Sequence, residues 1–265
     1  MLTCSFRHIR GIGAMRERQL WMKGVGCWDA LPDGEVLAAR LDEKLRAGVA
    51  ESRARLDAGD LDFFARALPE TEHWRLLPHL IDHAGFVDVE TAEDVTVIGV
   101  LDAEGPRCFV RGRDLHEFPR RAASWRGIVT FNGTAFDLPN LRRLFPGWDR
   151  PAAHVDLCIL LRRLGEGGGL KQIEPRLGLH RPPHLAPLCG TDAVWLWKAQ
   201  RAGDRAALRR LLEYNLHDAF HLRPIAEMAY NRIVRRTRMP APDIPVTQRG
   251  ALLYDVAKEV ERALR

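Results

Sequence analysis

The chain has 265 residues, 46% hydrophobic and 28% charged, with a formal net charge of +5. That balance belongs to a globular protein long enough to bury a sizeable core, and it excludes a disordered or fibrous chain. No apolar run approaches the roughly 20 residues of a membrane span, and the first residues, MLTCSFRHIRGIGAM, lack the apolar core of a signal peptide.

The five cysteines are scattered, odd in number and never spaced as CxxC. They predict buried free thiols rather than a zinc ribbon or a disulfide framework. Together these features predict a cytoplasmic protein with no membrane attachment. The isoelectric point of about 9.2 and the arginine clusters RRAASWR, LRRLF, LRRLG, ALRRLLEYN and RIVRRTR suit a polyanionic partner.

Residues 1–80 read as helical. MRERQLWMKGVGCWDAL spaces Leu20, Trp21, Val25 and Trp28 near a helical period, and EVLAARLDEKLRAGVAESRARLDAG is a long amphipathic pattern. DLDFFARAL and ETEHWRLLPHL follow as short helices with acidic residues near their starts. RGIGAMRERQLWMKGVG has the look of half a helix-hairpin-helix, whose Gly-x-Gly turn offers backbone amides to phosphate.

At Gly85 the period changes. Residues 85–90, 95–102 and 107–111 read as three short strands of an antiparallel meander. A helix is expected at 113–124, a buried strand at 127–132, a helix at 138–145, a strand at 153–157 and a helix at 157–164. From about residue 170 the pattern is helical: 170–177, 191–201 and 204–231. A proline-rich linker, MPAPDIPV, precedes a terminal amphipathic helix at 248–264. Three antiparallel strands, then helices alternating with two further strands, predict a mixed five-stranded α/β sheet of ribonuclease-H-like order. The expected organisation is a helical region over 1–80, the α/β domain over 81–235, and linker plus helix over 236–265.

Several carboxylates break the apolar pattern. Phe86, Asp88 and Glu90 share one face of the first strand, with Val87 and Val89 on the other. On an exposed edge these carboxylates would form a solvated face. In a central strand, two like charges lose hydration and repel each other, and a divalent cation relieves both penalties. Asp137, in FNGTAFDLPNL, suits a helix N-cap but also follows a buried strand at the edge where α/β sheets bind ligands. Asp218 lies on the apolar stripe Leu211, Tyr214, Asp218, Leu222, Ile225, where a lone carboxylate needs a partner. Four carboxylates of this kind form a hard oxygen donor set suited to Mg²⁺ or Mn²⁺. Two such ions activate water and stabilise the leaving oxygen of a phosphodiester. Tyr214, one turn before Asp218, is placed to bind the attacking water or the phosphate. Asp156 reads as a helix cap.

DVE (88–90), NGTAFD (132–137) and YNLHD (214–218) resemble the three motifs of the DnaQ-like, or DEDD, 3′–5′ exonucleases. Tyr-x-x-x-Asp is the form of the tyrosine subclass; where the histidine subclass has His, five residues before Asp218, this chain has Glu213. FNGTAFDLPNL, HVDLCILLRRL, GGLKQIEPRLGLHR, GTDAVWLW and LLEYNLHDAFHL, in that order, look like the YprB-like ribonuclease-H-like branch, as does the leader FRHIRGIGAMRERQLWMKGVGCWDAL. The resemblance spans most of residues 1–231.

It implies a metal-dependent 3′–5′ exonuclease acting on single-stranded DNA or RNA ends. Asp88, Glu90, Asp137 and Asp218 match the ligands of two ions, and Tyr214 matches the catalytic tyrosine. Thr91, Asn132 and Lys171 are the substrate-contact candidates, with arginines near 142–143, 162–163 and 209–210 for phosphate. After Glu90 the chain reads TAEDV in place of the usual Thr-Gly, a departure at the terminal-nucleotide pocket. A structure-selective endonuclease and an inactive binding module are the alternatives.

Overall fold

The computed structural model describes residues 2–247 and 256–265. Helices α1 (Ala14–Met22), α2 (Ala39–Asp57), α3 (Leu61–Ala67) and α4 (Leu77–Leu80) build the amino-terminal region. The Gly11–Gly13 turn leads into α1, but only turns and a three-residue 3₁₀ segment, Leu2–Cys4, precede it. That turn therefore has one helical arm, not two.

Three strands follow as a meander: β1 (Ala84–Thr91), β2 (Val95–Asp102) and β3 (Gly105–Val110). Then come α5 (Phe118–Ala122), β4 (Gly127–Thr130), α6 (Asp137–Leu144), β5 (His154–Asp156) and α7 (Leu157–Arg163). The helix expected at 113–124 is reduced to a 3₁₀ turn, Leu115–Glu117, followed by α5, because Pro119 suits only a first helical turn. Four helices complete the described chain: α8 (Leu170–Arg176), α9 (Gly190–Arg201), α10 (Arg205–Thr237) and α11 (Val256–Leu264). The expected 248–264 helix is seen only as α11; residues 248–255 lie outside the described residues.

The sheet order is β3-β2-β1-β4-β5. β1–β2 and β2–β3 are antiparallel, and β1–β4 and β4–β5 are parallel. This is the mixed five-stranded sheet that the element order predicts. β1 is central, so both of its faces are covered. Val87 and Val89 join Ile98, Val100, Phe109, Phe118, Leu138 and Leu141 in the layer under α5 and α6. Each fully buried side chain of this size contributes about 1.5–3 kcal/mol.

Phe86, Val97, Leu101 and Val129 point the other way, into a cluster shared with α7, α10 and the amino-terminal Leu2, Phe6, Leu20 and Trp28. Hence Asp88 and Glu90, in phase with Phe86, face α10. That helix is capped by Asp204, which accepts from the amides of Ala206 and Ala207. The sequence marks one apolar face on it, yet most residues between Tyr214 and Tyr230 are buried. The sheet covers one side of α10, and α7, α9 and α11 cover others.

Candidate metal centre

β1 runs toward the site and ends in a register irregularity between Glu90 and Thr91. Such a bulge re-aims side chains at a strand end. One carboxylate oxygen from each of Asp88, Glu90 and Asp218 lies within 4.8 Å of the others. Glu90 and Asp218 are buried and Asp88 keeps partial access.

Asp137 reaches the same corner differently. β4 stops pairing with β1 at Phe86–Val129, so the amide of Val89 has no strand partner on that side. It donates instead to Asp137 Oδ1 at 2.9 Å. Asp137 is the first residue of α6, and its carboxylate ties that helix to β1 rather than capping α6 from outside.

The electrostatics fit a cation. Burial, then the charges of Asp218, Glu90 and Asp137, push Asp88 well above the usual carboxylate range. Burial and Asp218 do the same to Glu90, against an opposing pull from Lys171. Burial raises Asp137 to about 7. Burial also raises Asp218, although Arg181 opposes it. Buried, mutually repelling, hard oxygen donors are the set a small divalent cation stabilises. Those donors could hold a divalent metal ion.

Several residues here have roles the sequence left unread. Asn215, fully buried, donates Nδ2 to Asp88 Oδ2 at 2.7 Å and to the Asp88 carbonyl at 3.1 Å. It fits because Gly99 lies opposite Asp88 in the β1–β2 pair; a Cβ there would sit 2.2 Å from Asn215 Oδ1. A glycine inside VTVIGVLD, a run rich in β-branched residues, is the signal that something approaches closely. Arg181, between α8 and α9, is ion-paired to Asp218 and donates Nε to Glu174 at 2.7 Å. Glu174 in turn binds His221 Nδ1 at 2.7 Å. Nothing in GLHRPPH distinguishes this arginine from a solvated one.

Tyr214 is buried, and its Oη contacts Lys171 Nζ, which also lies 3.9 Å from the Tyr214 ring centroid. Burial lowers the Lys171 pKa, with the Asp218 charge acting against it. Lys171 thus stands within reach of the Asp218, Glu90 and Asp88 charges. Thr91 follows Glu90 at the bulge. Asn132 adopts a left-handed φ of 64° in the loop before Asp137. Asp156 holds that loop, accepting from the amides of Asn132 (2.9 Å) and Thr134 (3.0 Å), and it caps α7 through Cys158 (3.0 Å). Among the phosphate candidates, Arg143, Arg163 and Arg209 are engaged with Asp94, Glu72 and Glu261, and Arg210 with the His184 carbonyl.

The RNase_H_2 family model, of the RNase_H superfamily, matches residues 85–230. The chain belongs to the RNase H superfamily. The matched span starts at the head of β1 and ends within α10, so it contains the sheet and all four carboxylates. RNase H-like nucleases act on nucleic acid with divalent metals, and the triad of this RNase H-like domain could hold such an ion. No curated protein and no solved structure matches the chain.

Proposed function

We propose that the protein is a nuclease of the 3′–5′ exonuclease type, hydrolysing phosphodiester bonds at single-stranded DNA or RNA ends with two Mg²⁺ or Mn²⁺ ions. The observation that carries this reading is the approach of Asp88, Glu90 and Asp218 oxygens to within 4.8 Å of one another, from a strand and a helix far apart in sequence. The direction of attack rests on the DEDD-like order of DVE, NGTAFD and YNLHD. The five cysteines, all free thiols, fit a reducing compartment and hence a cytoplasmic enzyme. No helix among the described residues is long and apolar enough to cross a membrane.

Asp88, Glu90, Asp137 and Asp218 would hold the ions. When bound there, the cations lower the pKa of the attacking water and offset charge on the phosphate oxygens. The chain's own residues prepare the ligands. Asn215 binds Asp88 Oδ2 and so fixes the plane of that carboxylate, with Oδ1 available to a ligand. Asp137 uses Oδ1 on Val89 and keeps Oδ2 for the site. Arg181, braced by Glu174, orients Asp218. Such outer partners fix ligand geometry. Lys171 and Tyr214 together offer a cation and a hydroxyl to the scissile phosphate or the attacking water. Thr91 and Asn132 contact the terminal nucleotide from the two strand ends.

The test is cleavage of matched 5′-labelled DNA and RNA strands against circular and 3′-phosphate-blocked versions. The reading predicts stepwise shortening of open strands only. Equal cutting of circles would replace it with an endonuclease. Asp137→Asn and Asp218→Asn abolish cleavage in this scheme, whereas Tyr214→Phe slows it.

A further inference from the structure

Away from the carboxylates, the amino-terminal region and the far end of α10 enclose an open groove of about 360 Å³. Trp21 forms one wall, with its indole N–H held by the Cys4 carbonyl at 3.0 Å. Beneath lies a closed ion network. Buried Arg75 binds Glu17 at 2.8 Å and Glu72 at 2.7 Å, and Arg163 binds Glu72 at 3.2 Å. Two arginines and two glutamates therefore cancel. Three further lining residues, Arg7, Arg18 and Arg236, come from the leader, α1 and the end of α10. None of them forms an ion pair within 4.0 Å of a carboxylate among the described residues, although the Arg7 charge reaches Glu72; with five arginines against Glu17 and Glu72, the lining keeps an excess of positive charge. Arg18 and Arg236 are exposed and Arg7 is half-buried. Three guanidiniums without a carboxylate ion pair, two from the amino-terminal segment and one from the end of α10, make a site for phosphate groups.

α10 links this groove to the metal centre. From Asp218 to Arg236 along that helix is about 27 Å at ~1.5 Å per residue. A stacked strand covers that in about eight nucleotides at ~3.4 Å per step.

We infer that this groove is a second nucleic-acid contact, gripping the phosphate backbone about eight nucleotides from the bond that is cut. The choice of nucleic acid as the polyanion rests on the nuclease reading above; the geometry of the groove does not. It gives the Arg-rich leader and the end of α10 a common purpose: long strands are held at both places, and short ones only at the carboxylates.

The experiment uses the full chain and the variant Arg7→Gln/Arg18→Gln/Arg236→Gln. Binding of a labelled single-stranded 20-mer is followed by fluorescence anisotropy in EDTA, across a series of salt concentrations. Removing three phosphate contacts lowers the salt slope by about 2 and weakens binding about 100-fold near 0.1 M salt. Hydrolysis of a trinucleotide, too short to reach the groove, keeps its wild-type kcat/KM. An unchanged Kd and salt slope for the 20-mer overturns the inference. So does an equal loss on the trinucleotide. If the triple variant folds poorly, Arg236→Gln alone decides, with about one third of the slope change expected and no change refuting. Binding in EDTA needs no chemistry, so a protein that cuts nothing would sink the nuclease reading while leaving the groove's result standing.

Discussion

Gly99→Ala probes the link between the sheet and the metal centre. The new Cβ would meet Asn215 Oδ1 at 2.2 Å, Cγ at 2.8 Å and the Asn215 backbone oxygen at 3.1 Å. The first two distances cannot exist, so the side chain must leave. The third is tight and resists any simple sideways shift, because Asn215 is wholly buried in α10. Overpacking of this kind costs about 1–3 kcal/mol. Losing the hydrogen bond to the Asp88 carboxylate costs about 1.5–3 kcal/mol more. The stiffer unfolded chain returns about 0.4–1 kcal/mol.

The net is about 2–5 kcal/mol, or a Tm lowered by about 4–20 °C for a domain of this size. Mn²⁺ affinity should fall about 10- to 100-fold, since Asp88 loses the partner that orients it. The decisive assay is a double-mutant cycle with Asn215→Ala, read by thermal melting and Mn²⁺ titration. Truncating Asn215 removes the atoms that clash, so the double variant should be less destabilised than the sum of the two singles. A wild-type Tm for Gly99→Ala, or strict additivity in the cycle, would refute the packing argument.

Two further outcomes follow from the charges. In EDTA, the acidic cluster should make stability fall as pH rises through about 7. Asp137, raised to about 7, holds a proton in the folded state where the unfolded chain does not, and the raised Asp88 and Glu90 act in the same direction. His8 and His217, both lowered to about 4 by burial, and His79, also lowered, act in the opposite direction as pH rises through 6.5, so the effect is read as the difference between EDTA and Mn²⁺. Saturating Mn²⁺ should remove this contribution, and pH dependences that are identical in EDTA and in Mn²⁺ would contradict the assignment. Arg181→Met should cost about 3–5 kcal/mol by stranding Asp218 and Glu174. Melting in EDTA checks this, and Mn²⁺ should restore part of the loss.

The sheet was legible because its signals are local. Strand alternation put Val87 and Val89 on one side and Phe86, Asp88 and Glu90 on the other, and the layers under α6 and α10 divide them in that way. Asp137 and Asp218 stood out as charges in apolar company. The partners that hold these carboxylates were not legible, because they depend on chain segments meeting in space. Arg181 sits in a proline-rich loop with no periodicity. Asn215 adjoins Tyr214 in sequence, but its target is on β1. The Val89 amide needs Asp137 only because β4 stops short. α10 also reads as one-sided until its other neighbours are in place, since neither α9 nor α11 announces its contact in the sequence.

The central claim is that the Asp88, Glu90, Asp218 cluster is a divalent-cation centre that cuts phosphodiester bonds. The most direct measurement compares wild-type protein with Glu90→Gln on a 5′-labelled single strand, with Mn²⁺ and with chelator. Glutamine keeps the shape of Glu90 and removes one repelling charge, so the variant should fold at least as well in EDTA. The account predicts shortening of the wild-type substrate from its 3′ end with Mn²⁺, none with chelator and none with Glu90→Gln. Chelator-resistant cutting, or wild-type rates from Glu90→Gln, would contradict it.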